Sequence, residues 1–183
     1  MDEYVDILDD QGNYTGKVLL KSEAHAKGLF HPTIHVWLFT GKDEVVLQKR
    51  SSLKDIFPGH WDVSVAGHIA AGEAPLQSAI RETREELGLK VSPDELQKIG
   101  TYTTVKQHRP TIVDRELHHI YICRLTSSPE RLTLQESEVE AVKLMKIDDF
   151  LHAIRTPDAS DTYVCHPEDY YKPVFDAIRQ KNS

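Results

Sequence analysis

Apolar and polar positions change period several times along the chain, and each change marks an element. From Pro75 to Leu87, Leu76, Ala79, Ile80, Leu87 and the Thr83 methyl recur at helical spacing, which predicts one helix with a buried stripe. Ala74-Pro75 suits its first turn and Gly88 its stop. Upstream, Tyr4 to Leu8 and Tyr14 to Leu20 read as the arms of a hairpin around Asp9 to Asn13. Lys21 to Gly28 is a short, helix-compatible polar segment. Thr33 to Thr40 reads as a buried strand, with Val45 to Arg50 its hairpin partner and Trp61 to Val65 the next strand. Further strands are expected near Leu96 to Val105, Glu116 to Leu125 and Val139 to Lys146, with Thr126 to Gln135 a surface loop. Helices are expected over Asp148 to Arg155 and Pro167 to Lys181. Strands at this spacing around one long helix suggest an α/β fold, a mixed sheet with helices on both sides.

Composition narrows the function. The 183 residues are 28% charged and 39% hydrophobic, which suits one soluble domain with a sizeable core. A net charge of −7 argues against a nucleic acid polymer as partner. Two cysteines, Cys123 and Cys165, give no disulfide framework. No long apolar segment and no signal peptide are read, so the expected location is cytoplasmic, away from any membrane. No internal repeat or low-complexity tract is found.

Chemistry concentrates on the central helix. Glu82, Glu85 and Glu86 stand at i, i+3 and i+4, neighbours on a helix surface. Three carboxylates this close repel unless a cation lies between them, and hard oxygen donors suit Mg²⁺ or Mn²⁺. A solvated acidic helix end is the alternative, although negative charge there opposes the helix dipole.

These glutamates sit in a longer pattern: Gly67, Glu73, Arg81-Glu82, Thr83, Arg84, Glu85-Glu86, Leu87, Gly88, Leu89. It resembles the signature of the Nudix hydrolases, G-x5-E-x7-R-E-U-x-E-E-x-G-U with U apolar, and departs from it only at Thr83. The resemblance implies a Nudix-type α/β/α sandwich with an N-terminal β-hairpin. It implies a single domain over residues 1–183, with a hairpin region at 1–30, the box at 67–89 and a C-terminal helical segment at 147–181. It also implies metal-dependent hydrolysis of a nucleoside diphosphate linked to another group. Glu82, Glu85 and Glu86 would manage the metals, with the Ala66 carbonyl facing them, and Glu82 or a neighbour would orient the attacking water. Arg81 would orient Glu85, Glu73 would brace the Gly67 loop, and Gly67 and Gly72 would supply backbone freedom. The general base is sought outside the box, at Glu136 or Glu138; an exposed acidic loop is the equal alternative.

A second resemblance covers most of the rest. Segments around Lys21, His25, Trp37-Leu38-Phe39, Arg50, Lys54, Pro58-Gly59, Trp61, Ser64-Val65, Gly67-His68 and Glu116 look like isopentenyl diphosphate isomerase, a Nudix-fold enzyme that moves a double bond with a cysteine and a glutamate. The glutamate position is Glu116, but the cysteine position is Ala66, whose methyl cannot transfer a proton. Hydrolysis is therefore expected over isomerisation, with a noncatalytic ligand-binding domain as a third reading. The isomerase comparison implies a second divalent-metal site at His25, His31 and His68 with Asp114 and Glu116; simple capping or packing of His25, His31 and His35 is the alternative. No role is expected for His118 or His119. Lys21, Arg50 and Lys54 match positions that hold the substrate diphosphate. Trp61 and Phe57 stack on a base or pack, and Trp37 packs. Tyr102, His108 and Arg109 are expected in or near a specificity loop. The identity of the small-molecule diphosphate and the oligomeric state stay open.

Overall fold

The computed structural model describes residues 2–109 and 112–183. β1 (Tyr4–Leu8) and β2 (Tyr14–Leu20) form the expected hairpin, closed where Asp9 Oδ1 accepts from the Gln11 and Asn13 amides. α1 (Lys21–Lys27) follows and ends at Gly28, whose left-handed φ of 58° needs no Cβ penalty.

The main sheet holds β3 (Phe30–Phe39), β4 (Glu44–Arg50), β5 (Trp61–Asp62), β6 (Val65–His68), β7 (Gln97–Arg109), β8 (Ile112–Arg124) and β9 (Val139–Lys146). Its order is β5-β4-β3-β8-β7, with β6 also paired to β3 and β9 to β4. β3 and β8 run parallel at its centre, and the other pairs are antiparallel. β3 is paired along both edges and covered by helices on both faces, so the strand is buried along its whole length.

Alternation along β3 builds two cores. Ile34, Val36 and Leu38 face α2 (Pro75–Leu87), packing with Ala79 and Leu87. Trp37 and Phe39 face α3 (Ile147–Ala153) and α4 (Glu168–Asn182), packing with Phe150, Tyr170, Tyr171, Val174 and Phe175. The molecule is an α/β/α sandwich, as the box resemblance implies, and Trp37 is a core residue with no exposed surface. Among the described residues no helix is long and apolar enough to cross a membrane.

Three expectations need correction. Trp61 to Val65 is not one strand: it breaks at Val63-Ser64, where Ser64 Oγ leaves the ladder to bond the Leu38 amide and the Val46 carbonyl. Tyr102 lies within the expected strand, and His108 is on a strand rather than in a loop. β7 and β8 stay paired through Lys106 and Asp114, where the pairing itself holds a polar run extended. Arg109 ends β7, and its side chain lies outside the described residues. β3 begins earlier than Thr33, at Phe30, since Pro32 falls within the stretch paired to β8.

α2 stops at Gly88, with φ at 64° and a would-be Cβ 2.8 Å from Thr133 Cβ. Gly88→Ala should therefore cost about 2 kcal/mol, from left-handed strain plus that contact. Urea melts of the two proteins check this, and equal midpoints would contradict it.

Candidate active site

The box loop is fastened to the hairpin. The Ala71 amide donates to the Tyr4 carbonyl at 2.9 Å and the Gly72 amide to Asp6 Oδ2 at 2.8 Å. This holds Ala66 and Gly67 against α2 so closely that a Cβ at Gly67 would lie 2.5 Å from Glu82 Cγ. A Cβ there would displace the Glu82 carboxylate from its place against the loop.

Arg81 organises the acidic residues. Its Nη1 donates to Glu82 at 2.7 Å and to Glu85 at 3.2 Å; Nη2 donates to Glu73 at 2.8 Å and to the His68 carbonyl at 3.3 Å. The guanidinium holds Glu73 below the usual carboxylate range. Arg81 thus ties Glu85 as expected, and ties the Gly67 loop to α2 as well. Thr83 keeps its helix position by donating to the Ala79 carbonyl at 2.7 Å.

Glu82 and Glu86 are buried, 8% and 4% exposed, and burial raises the pKa of both, well above the ordinary range for Glu86. Gln48 Nε2 donates to Glu86 Oε2 at 3.2 Å. These two carboxylates, Glu85, Ala66, Lys21, Lys54 and Glu138 share one pocket of about 130 Å³. Two buried, destabilised carboxylates beside a solvent-facing third form a donor set that hard divalent cations fit. The three do not converge on one point in this arrangement, because Arg81 takes oxygens of Glu82 and Glu85. Glu138 pairs with Lys54 across the mouth, whereas Glu136 is exposed and outside these cavities.

Among the described residues, the donor atoms that do converge, all within 4.8 Å, belong to His25, His31, His68 and Glu116. The register explains it: on β3, His31 pairs with Glu116 of β8 and Thr33 with His68 of β6. His31 Nδ1 lies 3.0 Å from the Leu29 carbonyl, which can only accept. Nδ1 therefore carries the hydrogen, and Nε2 turns a lone pair into the cluster. His68 Nε2 is buried there without a partner. Three imidazoles and a carboxylate fit Mn²⁺ or Zn²⁺. Asp114, also expected here, stands 3.6 Å from His25 but 2.7 Å from His108.

Arg50 faces the pocket, as expected, and lines the cavities on both sides of it. Its guanidinium also bonds Asp62 Oδ2 at 3.0 Å and the Ile56 carbonyl. His35 and His118, expected to pack or to have no role, are stacked at 4.1 Å in a cavity of about 120 Å³ that they share with Lys106, His166 and, from the His–Glu cluster, His25, His68 and Glu116. Strand alternation brings His31, Thr33 and His35 of β3 onto one face with Glu116 and His118 of β8 and Thr104 of β7, a pattern readable only once the pairing is known. Phe57, held at a φ of 51°, also lines this cavity.

Burial, with help from Asp114, pushes Glu116 up to about 8, and burial pushes His31 and His35 down to about 4. In a chelator the folded chain keeps the Glu116 proton long after the unfolded chain, near 4.5, has lost it. Stability from this group is lost as pH rises toward 8, and Glu82 and Glu86 act in the same direction. The histidines act oppositely, but only below their ordinary 6.5, where the unfolded chain takes up protons. Between pH 6.5 and 8 the carboxyls act alone, so metal-free protein should lose roughly 1–2 kcal/mol. Denaturant titrations in chelator check this; rising stability over that interval would contradict it.

Comparison with known proteins decides the family. The model of the NUDIX domain matches residues 29–164, well over half of the chain. The chain belongs to the NUDIX family. It is 35% identical to Nudix hydrolase 3 of Arabidopsis thaliana over 98% of this chain, but spans only 24% of that protein. It is 38% identical to an uncharacterized Nudix hydrolase of Clostridium acetobutylicum, over 81% of this chain and 72% of that one. Isopentenyl-diphosphate Delta-isomerase of Escherichia coli is 34% identical over 83% of this chain and 81% of its own length, which sets this NUDIX chain beside the isomerase-like branch. A Deinococcus radiodurans crystal structure, DR0079, shares the fold with a TM-score of 0.67 at 16% identity, over 97% of this chain and 98% of that one.

Proposed function

We propose that this NUDIX chain, over its whole length, is a hydrolase that uses Mg²⁺ or Mn²⁺ to cut the diphosphate bond of a nucleoside diphosphate derivative or similar small molecule. The observation that carries the reading is the pair of buried carboxylates, Glu82 and Glu86, pressed against the Ala66–Gly67 backbone beside Lys21 and Lys54. Divalent cations held by Glu82, Glu85, Glu86 and the Ala66 carbonyl would place positive charge on the diphosphate oxygens and activate water.

The chain's own residues do the rest. Arg81 holds one oxygen each of Glu82 and Glu85 and leaves the other free, so the two carboxylates would turn toward an entering cation from fixed positions. Lys54 and His68 border the box pocket, the cavity of His35 and His118, and a wider groove of about 540 Å³ by Lys21, Leu53 and Ser137, which supports a diphosphate lying at their junction. Lys21 and Lys54 supply compact charges to its oxygens; Arg50 acts through Asp62 and Ile56, shaping the wall. A phosphate that takes Lys54 frees Glu138, its present partner, to accept the proton of the attacking water. His25, His31, His68 and Glu116 would hold a second divalent ion, adding charge on the far side of the junction.

The same His–Glu cluster favours a second reading, isomerisation of isopentenyl diphosphate. Ala66 argues against it, since its methyl cannot take or give the proton that the isomerase's cysteine handles opposite Glu116. Incubation with isopentenyl diphosphate should give no dimethylallyl diphosphate.

The main test is a panel of diphosphate compounds with Mg²⁺ and Mn²⁺. Metal-dependent phosphate or nucleotide release is expected, reduced at least about 100-fold in Glu85→Gln. No metal-dependent release from any compound by folded protein would overturn the reading in favour of a noncatalytic binder.

A further inference from the structure

One buried position of β4 breaks an apolar row. Val45 and Leu47 enter the core against α3 and α4, and Val46 enters the core against α2. Alternation puts Gln48 on the α2 side with Val46, where it is 2% exposed. An amide buried among apolar side chains is unfavourable unless its hydrogen bonds are made. Gln48 Nε2 donates to Glu86 Oε2 at 3.2 Å, reaching from the sheet to the last turn of α2. Strand pairing on both edges fixes where that donor starts: Gln48 lies opposite Asp62 of β5 and Val142 of β9. The three box glutamates are therefore held in two different ways. Arg81, a cation, bonds Glu82 and Glu85. Among the described residues Glu86 has no such ion pair, and the side chain that bonds it is a neutral amide.

We propose that Gln48, outside the box, is a positioning residue for the cation site: it fixes the direction of the Glu86 carboxylate without cancelling its charge. The inference rests on the metal-dependent hydrolase reading and adds a residue to that site. A donor that is itself charged, as Arg81 is, must share its carboxylate with the entering metal. A neutral donor leaves the full negative charge for it, and a buried carboxylate with no counter-charge is relieved when a cation arrives. Glu86 is 4% exposed, so water does little to turn or screen it, and the Gln48 amide sets its orientation. Gln48 lines none of the three cavities around the site, so its effect passes through Glu86.

Mn²⁺ uptake, read by electron paramagnetic resonance of the free ion, tests this in a His68→Ala host, where the His–Glu cluster is weakened and the box is the site read. Gln48→Met keeps the length of the side chain and removes its amide. It should give a cooperative melt and weaken Mn²⁺ uptake about 10-fold. Gln48→Lys puts an ammonium beside Glu86 and should weaken uptake at least about 100-fold, because it pairs with the charge the metal needs. It decides the matter alone if Gln48→Met does not fold. A role confined to packing would lower the melting temperature of Gln48→Met in chelator and leave uptake unchanged. Turnover gives a second reading in the chain with His68 intact. There Gln48→Met should lose about 10-fold in kcat at limiting Mn²⁺, regain most of it at saturating Mn²⁺, and keep its KM for the diphosphate within about twofold. Unchanged uptake in Gln48→Met or Gln48→Lys beside tight uptake in the host, or a loss of kcat that excess Mn²⁺ does not recover, overturns the role of Gln48 and leaves the hydrolase reading standing. If the host itself takes up no Mn²⁺ tightly, the metal-dependent reading falls and this inference with it.

Discussion

Glu86→Gln should leave a folded protein whose hydrolysis of its best diphosphate has dropped by about a thousandfold. The carboxylate is buried, 4% exposed, and its burial raises the cost of its charge. An amide of the same shape keeps a hydrogen-bond acceptor for Gln48 and removes that cost. In chelator the variant should therefore melt at or above the wild-type temperature. With millimolar Mg²⁺ the wild type should gain stability by linkage and the variant should gain little. Steady-state rates and thermal melts with and without Mg²⁺ check both halves. A variant with near-normal turnover, or one stabilised by Mg²⁺ as fully as the wild type, would show that Glu86 holds no cation.

Arg81→Ala should act mainly through stability in the absence of metal. The guanidinium satisfies Glu73, Glu82, Glu85 and the His68 carbonyl at once. Its removal leaves clustered carboxylates without a counter-charge, and a third of the Arg81 side chain still reaches solvent, which moderates the penalty. The expected loss is about 2–3 kcal/mol, or roughly 5–10 °C in Tm for a chain of this size. Mg²⁺ should narrow the gap, because a cation between Glu82 and Glu85 replaces part of the lost charge. Activity should fall about 100-fold, since the same two carboxylates lose their fixed positions. A gap that Mg²⁺ leaves unchanged would mean that the three box glutamates do not gather a cation.

The helix carrying the box was legible because two local signals agreed: a stripe from Leu76 to Leu87 and end signals at Pro75 and Gly88. The hairpin was legible for the same kind of reason, since Asp9 and Asn13 close its turn through local bonds. The break at Ser64 was not, because a serine that bonds two other strands looks like any strand serine until those strands are placed. The length of β7 and β8 was also hidden: the polar run at Lys106 to His108 looks like a loop, and only pairing with Val113 to Arg115 holds it extended. At the site, the box residues carried their own spacing. His25, His31, His68 and Glu116 are scattered along the chain, and the resemblance to an isomerase grouped them before the register did. His35, His118 and His166 had no such guide. They lie on β3, on β8 and just before α4, and nothing short of the strand pairing brings them to one wall. For Arg50 the place beside the pocket was legible, whereas its partner Asp62, across the β4–β5 pair, was not.

Mn²⁺ titration followed by electron paramagnetic resonance of the free ion measures the cation grip of the box carboxylates directly. The proteins to compare are the wild type, Glu85→Gln, Glu86→Gln and His68→Ala, the last weakening the separate His–Glu cluster. Tight Mn²⁺ uptake should persist in His68→Ala and weaken at least about tenfold in both glutamine variants. Uptake that is unchanged in Glu85→Gln and Glu86→Gln would mean that α2 binds no metal and that a diphosphate is not cut there.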